Sequence, residues 1–371
     1  MDQNAQATRA KAVTSLPKPD GACTTALDQL RFDLDLTPGI GLNDPDSAEE
    51  LVGTLSLEDL VAKHLPKVRL DPLPQALIPK LAKDHVATRA LERAVKQIPT
   101  EHRFLCRDAR DLSLIPDESI HLVLTSPPYW TLKKYPPSEG QLGDLGDYDV
   151  FIKELDRVWV ECHRVLVQGG RLIIVVGDVC LSRRKHGEHK VVPLHASIQE
   201  HCAAVGFHNL APIIWYKIAN AVFEVDNGTA FLGKPYEPNG IVKNDIEFIL
   251  MQRKPGGYRR PTAAMRLLSL IGEKNHKLWF NQILDLRGAS TKNHPAPFPL
   301  ELAERLIRMF SFATDTVLDP FGGTGTTSLA ASRWGRNSIS VEIDPGYHAA
   351  SVARARASIK QEKLVANISK R

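Results

Sequence analysis

The sequence predicts an α/β protein: an open, mostly parallel sheet with helices on both faces. Three observations carry this. Short, β-branched apolar runs recur at 120–124, 171–176, 316–319 and 338–343, with the length and composition of buried strands. Helical patterns alternate with them. At 148–166, Phe151, Leu155, Val158, Trp159, Cys162, Val165 and Leu166 share one face, and at 299–312 Leu302, Leu306, Ile307, Met309 and Phe310 do so. Polar loops rich in Gly and Pro follow the strands. Open α/β sheets place their chemistry at such strand ends.

The chain has 371 residues, enough for one large domain and an extension. Its net charge of +4 and pI of about 8.7 permit nucleic-acid binding without demanding it. Five cysteines are scattered without zinc-ligand or redox spacing, so buried thiols are expected. No run reaches transmembrane length and the N-terminus has no apolar signal core, which predicts a cytoplasmic protein and no membrane partner.

Residues 1–99 read as an N-terminal extension, and 100–371 as the main domain. Residues 1–20 are polar, with little to bury, and read as disordered. From 55 to 98 the pattern is helical, broken by Pro66, Pro72 and Pro74 and punctuated by basic residues. A solvated helical cover is the favoured reading, and a DNA-contacting or dimerising surface its rival.

The main domain opens with a strand at 104–106 and an acidic turn containing Asp108, for which a turn or capping role competes with a binding one. After the run at 120–124 comes Thr125-Ser126-Pro127-Pro128-Tyr129-Trp130. Consecutive prolines stiffen this loop and leave its carbonyls free to accept. With a serine hydroxyl before them and aromatic rings after, they suit a planar base carrying an exocyclic amine; a Pro-rich turn with aromatic packing is the plain alternative. Gly169-Gly170 ends the long helix, and the next strand ends at Asp178, for which local capping has the larger share.

The loop 182–190 carries Arg183, Arg184 and Lys185, suited to phosphate or simply solvated. The strand at 210–218 contains Trp215 and Lys217, and the strand at 245–251 follows a Gly-rich loop; these last two strands are expected to form a hairpin-like edge. Arg253, Arg259 and Arg260 form a basic cluster with Tyr258. Finally, 316–327 reads strand, glycine-rich turn, helix, and the following strand ends in Glu342 and Asp344. Glycines admit a ligand to the backbone, the helix N-terminus presents N–H groups, and an acid at the next strand end suits a ribose.

Three motifs in this order resemble the β group of DNA amino-methyltransferases, which transfer a methyl group from S-adenosylmethionine (AdoMet) to N4 of cytosine or N6 of adenine. Ser126-Pro127-Pro128-Tyr129 is similar to their catalytic loop, and Asp319-Pro320-Phe321-Gly322-Gly323-Thr324-Gly325-Thr326-Thr327 to their AdoMet loop. Asn293-His294-Pro295-Ala296-Pro297-Phe298-Pro299 resembles the segment that closes the AdoMet pocket. The resemblance spans about 100–360. It implies a Rossmann-like, seven-stranded methyltransferase fold, with AdoMet held by Asp108, His294, Pro295, Phe298, Asp319, Pro320, Phe321, Gly323, Gly325, Thr326, Thr327 and Glu342.

It also implies catalysis by Ser126, Pro127, Pro128 and Tyr129, with Tyr129 stacking on an extruded base. Double-stranded DNA is the implied partner, touched by Trp130, the 183–185 loop, Trp215, Lys217 and a short recognition region near 252–292 that includes Arg253, Arg259 and Arg260. A separate cognate restriction endonuclease and a homodimer are further partners to expect. Ser at the first motif position favours N4-cytosine over N6-adenine. No Pro-Cys occurs, so C5-cytosine chemistry lacks its nucleophile. An RNA or small-molecule methyltransferase and a non-catalytic DNA-binding protein are the rival readings.

Overall fold

The computed structural model describes residues 55–132, 138–181, 183–217, 238, 242, 244–288, 298–359 and 363–367, with backbone alone for 184, 185 and 363–367. The expectations for residues 1–54, His294 and Pro295, and the side chains of Arg184 and Lys185, lie outside the described residues.

Three helices come first: α1 (Leu57–His64), α2 (Leu77–Lys83) and α3 (His85–Val95). A capping box between Ser56 and Asp59 starts α1, and the Asp84 side chain caps α3. Strands β1 (Glu101–Cys106) and β2 (Ile120–Thr125) lead to α4 (Tyr148–Val165), capped by Asp147. The predicted face of α4 is buried: Phe151, Leu155, Val158, Trp159, Cys162 and Val165 are all at 0 % exposure.

The central strand β3 (Leu166–Val176) follows directly. A small antiparallel pair, β4 (Val179–Leu181) and β5 (Lys190–Val192), brackets the helical turn α5 (Arg183–His186). Then come α6 (Leu194–Val205), β6 (His208–Tyr216), β7 (Ile246–Arg253), α7 (Ala263–Leu268), α8 (Glu273–Trp279), β8 (Ile283–Asp285) and α9 (Leu300–Phe310). The chain closes with β9 (Thr316–Asp319), α10 (Thr326–Arg333), β10 (Asn337–Glu342), α11 (Pro345–Ser358) and β11 (Lys363–Asn367).

The main sheet has nine strands in the order β11-β1-β10-β9-β2-β3-β7-β6-β8. The inner seven match the expected number; the correction is one more strand on each edge. Both additions are short: β8 has three residues, too few to show a period, and β11 has five. Only the β3–β7 and β7–β6 pairings are antiparallel. Because β7 alone runs backwards, its start lies with the C-terminal ends of the other strands, and its end lies at the opposite edge.

The sheet is packed on both faces. One core holds the inner face of α4 and α6 with β2 and β3, and the other packs Leu302, Leu306 and Ile307 of α9 against Leu122, Leu124 and Ile173. Fully burying each such side chain contributes roughly 1.5–3 kcal/mol. Helices α1 and α3 form a third core with Ala264, Leu267 and Leu268 of α7 and with Ala313 and Trp334, which precede β9 and β10. The helical stretch of the N-terminal extension therefore covers the N-terminal edge of the sheet.

Candidate functional site

At the C-terminal edge, the loop after β2 and the loop after β9 face one another across a single cleft. Ser126 and Pro128 line it from one side; Pro320, Phe321, Gly323, Glu342 and Asp108 line it from the other. Ala109, Gly140, Gln141, Leu142, Ile343 and Tyr347 complete the lining. No local pattern singles these six out, because their place depends on loop packing.

The glycine-rich turn is held from beneath. Asp319 is 2 % exposed and accepts from the Thr125 hydroxyl at 2.7 Å, the Thr327 hydroxyl at 2.6 Å and the Phe321 amide at 3.1 Å. Burial pushes its carboxyl up to about 6, against these bonds. Asp319 and Thr327 thus brace the turn, and neither is among the residues that line the cleft. Thr326 accepts from Arg354 at 3.0 Å. Gly325 caps α10 at φ 77°, where a side chain would be strained. A Cβ on Gly322 would stand 1.9 Å from the Ser340 hydroxyl, so the turn lies directly against β10. Phe298 packs in the α9 core instead of lining the cleft.

Glu342 accepts the Gly323 amide at 2.8 Å and the Asp344 amide at 2.9 Å. Burial raises its carboxyl to about 7. Carboxylate oxygens have further lone pairs, so it can still accept from two ligand hydroxyls. Asp108 is clamped by Arg110, whose Nε lies 3.0 Å from both of its oxygens and whose other arm reaches Glu154. Asp108 therefore offers the cleft a fixed, charge-paired wall. Cradle and carboxylate together fit a nucleoside cofactor such as AdoMet.

On the other side, the Ser126 hydroxyl donates to the Tyr129 hydroxyl at 3.3 Å, which lies 3.3 Å from both the Val175 carbonyl and Glu247 Oε2. Lys217 pairs with Glu247 Oε1 at 2.5 Å. Sequence reading missed Glu247: it lies far along the chain, and only the reversed direction of β7 brings it here. Tyr129 is 5 % exposed, so it presents no open face for stacking, contrary to expectation. Gly177 lets this happen, since a Cβ there would meet Glu247 at 3.3 Å and the Tyr129 ring at 3.4 Å. Trp215 is at 0 % exposure and donates to the Leu286 carbonyl at 2.6 Å. It is core, and it reaches the site only by lying 5.6 Å beneath Lys217.

Trp130 adopts φ 46°, an uncommon value for a bulky residue, and meets Tyr148 edge-on at 5.2 Å. Asp178 accepts from His195 at 2.6 Å (side chain) and 3.3 Å (amide), the local bracing role. Arg183 is exposed on the turn between β4 and β5, beyond the same edge. Arg253, Arg259 and Arg260 are not brought to this site. Arg253, the last residue of the reversed strand β7, is in register with Arg171 of β3 and with His208, the first residue of β6. The cluster therefore sits at the N-terminal edge, and Arg259 there pairs with buried Asp315.

A family model described as DNA methylase matches residues 120–353. The Type II methyltransferase M.MjaI of Methanocaldococcus jannaschii is 35% identical over 297 residues, covering 72% of this chain and 94% of that protein. The DNA adenine methyltransferase YhdJ of Escherichia coli is 27% identical over 256 residues, 64% of this chain and 76% of its own length. Among solved structures, a DNA modification methylase of Thermus thermophilus complexed with S-adenosyl-L-methionine is similar at 49% identity and a TM-score of 0.59, covering 72% of this chain and 99% of that one.

Proposed function

The chain belongs to the DNA amino-methyltransferases that act on N4 of cytosine or N6 of adenine, and from that premise we propose that it methylates N4 of cytosine at the cleft beside Ser126. The observation that carries this is the shared cleft: Ser126 and Pro128 line the same space as Gly323 and Glu342. S-adenosyl-L-methionine is the cofactor, and it supplies an electrophilic methyl group. Glu342 would take its ribose hydroxyls, and Phe321, Ile343 and Tyr347 would surround its base.

An exocyclic amine is a poor nucleophile because its lone pair is delocalised into the ring. The Ser126 hydroxyl and the Pro127 carbonyl accept its two hydrogens, which favours a pyramidal nitrogen with an exposed lone pair. Proline rigidity holds both acceptors in place before the base arrives, so positioning and fixed dipoles carry the rate. As the nitrogen is methylated it loses one proton. Ser126 receives that proton and passes its own to Tyr129, which passes its own to Glu247; the hydrogen bonds run in that order. Lys217 holds the Glu247 carboxylate in place throughout.

Cytosine is favoured because serine occupies the first motif position, where the adenine enzymes usually carry Asp or Asn. N6-adenine is the second reading, since YhdJ, named an adenine methyltransferase, is among the relatives. The test is transfer of labelled methyl from S-adenosyl-L-methionine into unmethylated bacterial DNA, with mass identification of the nucleoside. N4-methylcytosine is the expected product. N6-methyladenine would reverse the base assignment, and unlabelled DNA would overturn the reading.

A further inference from the structure

A second groove opens at the N-terminal edge of the sheet. Seven Lys and Arg side chains line it against one carboxylate, Glu273. Three of the seven are neutralised: Arg259 by Asp315, Arg308 by Glu92 and Lys277 by Glu273. Lys83, Arg171, Arg253 and Arg266 have no carboxylate partner among the described residues.

Two of these four face one another. Arg171 of β3 is directly opposite Arg253 of β7 in the antiparallel ladder, a placement that costs stability for like charges. Burial, and then Arg253, hold the Arg171 guanidinium below the usual arginine range. Each guanidinium is backed by a ring: Arg171 lies 5.1 Å from the centroid of Phe310, and Arg253 lies 4.4 Å from that of Tyr258. Tyr258 is itself 85 % exposed. Among the described residues, Arg253 Nη2 donates to the carbonyls of Gly256 and Gly257, at 3.0 and 3.3 Å. Folding thus concentrates positive charge that nothing within the described residues offsets, and an arriving anion would relieve the repulsion.

We propose that this groove is a second DNA-binding site, one that takes the phosphodiester backbone of a DNA segment other than the one being methylated. Three of the four uncompensated cations are arginines, whose planar fork matches phosphate oxygens bidentately. Exposed Tyr258 adds a face on which a base or sugar can rest. The proposal rests on DNA as substrate and is independent of which base is methylated. Between Arg171 and Val176, β3 rises about 17 Å at the usual strand spacing. The groove and the Ser126 cleft are therefore on opposite edges, and a short straight duplex lying on one cannot reach the other. Bound DNA would be held at two places, bridging separate segments and allowing transfer between them.

The test uses the full-length protein and a 12-base-pair duplex, with binding stoichiometry read by sedimentation and salt dependence by fluorescence anisotropy. The wild type is expected to bind two duplexes, the second more weakly. Lys83→Glu with Arg266→Glu, which alters groove-mouth side chains and leaves the sheet intact, is expected to weaken the second event at least tenfold. Arg171→Gln should lower its salt slope by about one phosphate contact, near 0.9 in log–log units. One duplex per wild-type molecule, or an unchanged second event in the charge-reversed variant, would overturn the proposal. So would a polyglutamate peptide that binds the groove where duplex does not. Methylation with only one duplex bound would sink this inference and leave the proposed function standing; two duplexes bound without methylation would do the reverse.

Discussion

The two edges of the sheet are built in opposite ways. At the C-terminal edge, backbone dominates: glycine and proline turns, acceptor carbonyls, and the carboxylates of Asp319 and Glu342 raised by burial. At the N-terminal edge, side-chain charge dominates: guanidiniums stacked on rings, with several lacking counterions among the described residues. The first arrangement suits chemistry, because fixed dipoles need no reorganisation when charge develops. The second suits holding a polyanion, where geometry is loose and many weak contacts add. The basic cluster at 253–260 did not mark the chemical edge; the turns did.

That contrast can be broken most severely at the N-terminal edge. Gly169 has φ 72°, and a Cβ there would lie 2.3 Å from the Gly257 carbonyl. Gly169→Ala is expected to cost about 3 kcal/mol of stability, from strain and backbone displacement, measured by urea unfolding. Cofactor affinity of the folded fraction, read by calorimetry, should hardly change, because the two edges are independent.

A smaller effect sharpens the chemical edge. The folded-state pKa of Glu342 is raised from 4.5 to about 7, so the folded, cofactor-free protein holds a proton there that the unfolded chain has released. Stability attributable to this group is present at pH 4.5 and is lost as pH rises to 7. Cofactor affinity runs the other way, since the ionised carboxylate accepts ribose hydroxyls better, and it should rise between pH 6 and 8. Glu342→Gln is expected to weaken binding about tenfold at pH 8 and to flatten both slopes. An affinity independent of pH in the parent protein would contradict this role.

The smallest expected effect concerns Glu247. Glu247→Gln keeps the hydrogen bond to Tyr129 but removes the proton acceptor. A fall of severalfold in single-turnover rate is expected, with cofactor and DNA affinity intact. If affinity falls and the rate does not, Glu247 is structural.

How much of this was legible follows the same division. The Ser126–Tyr129 loop, the Asp319–Thr327 turn and Glu342 were readable because local residue order alone makes a turn at a strand end. The face of α4 was readable because its period is short. Arg253 and Arg259 were misplaced for a physical reason: β7 runs antiparallel to β3, so the residues that leave it emerge at the far edge. Glu247, Gly140 and the Arg110 clamp on Asp108 arise from contacts distant in sequence, which no period or spacing encodes. Trp215 and Asp319 show the converse, since functional-looking residues in apolar strands were packing and bracing groups.

The central claim is that the Ser126 hydroxyl acts at the exocyclic amine. The most direct test is single-turnover methyl transfer with Ser126→Ala, at saturating S-adenosyl-L-methionine and DNA. Removing one fixed polar partner of the reacting group should slow transfer about 100-fold, with cofactor affinity unchanged by calorimetry. Transfer at the parental rate would contradict the account, because the cleft would then work without the group that defines it.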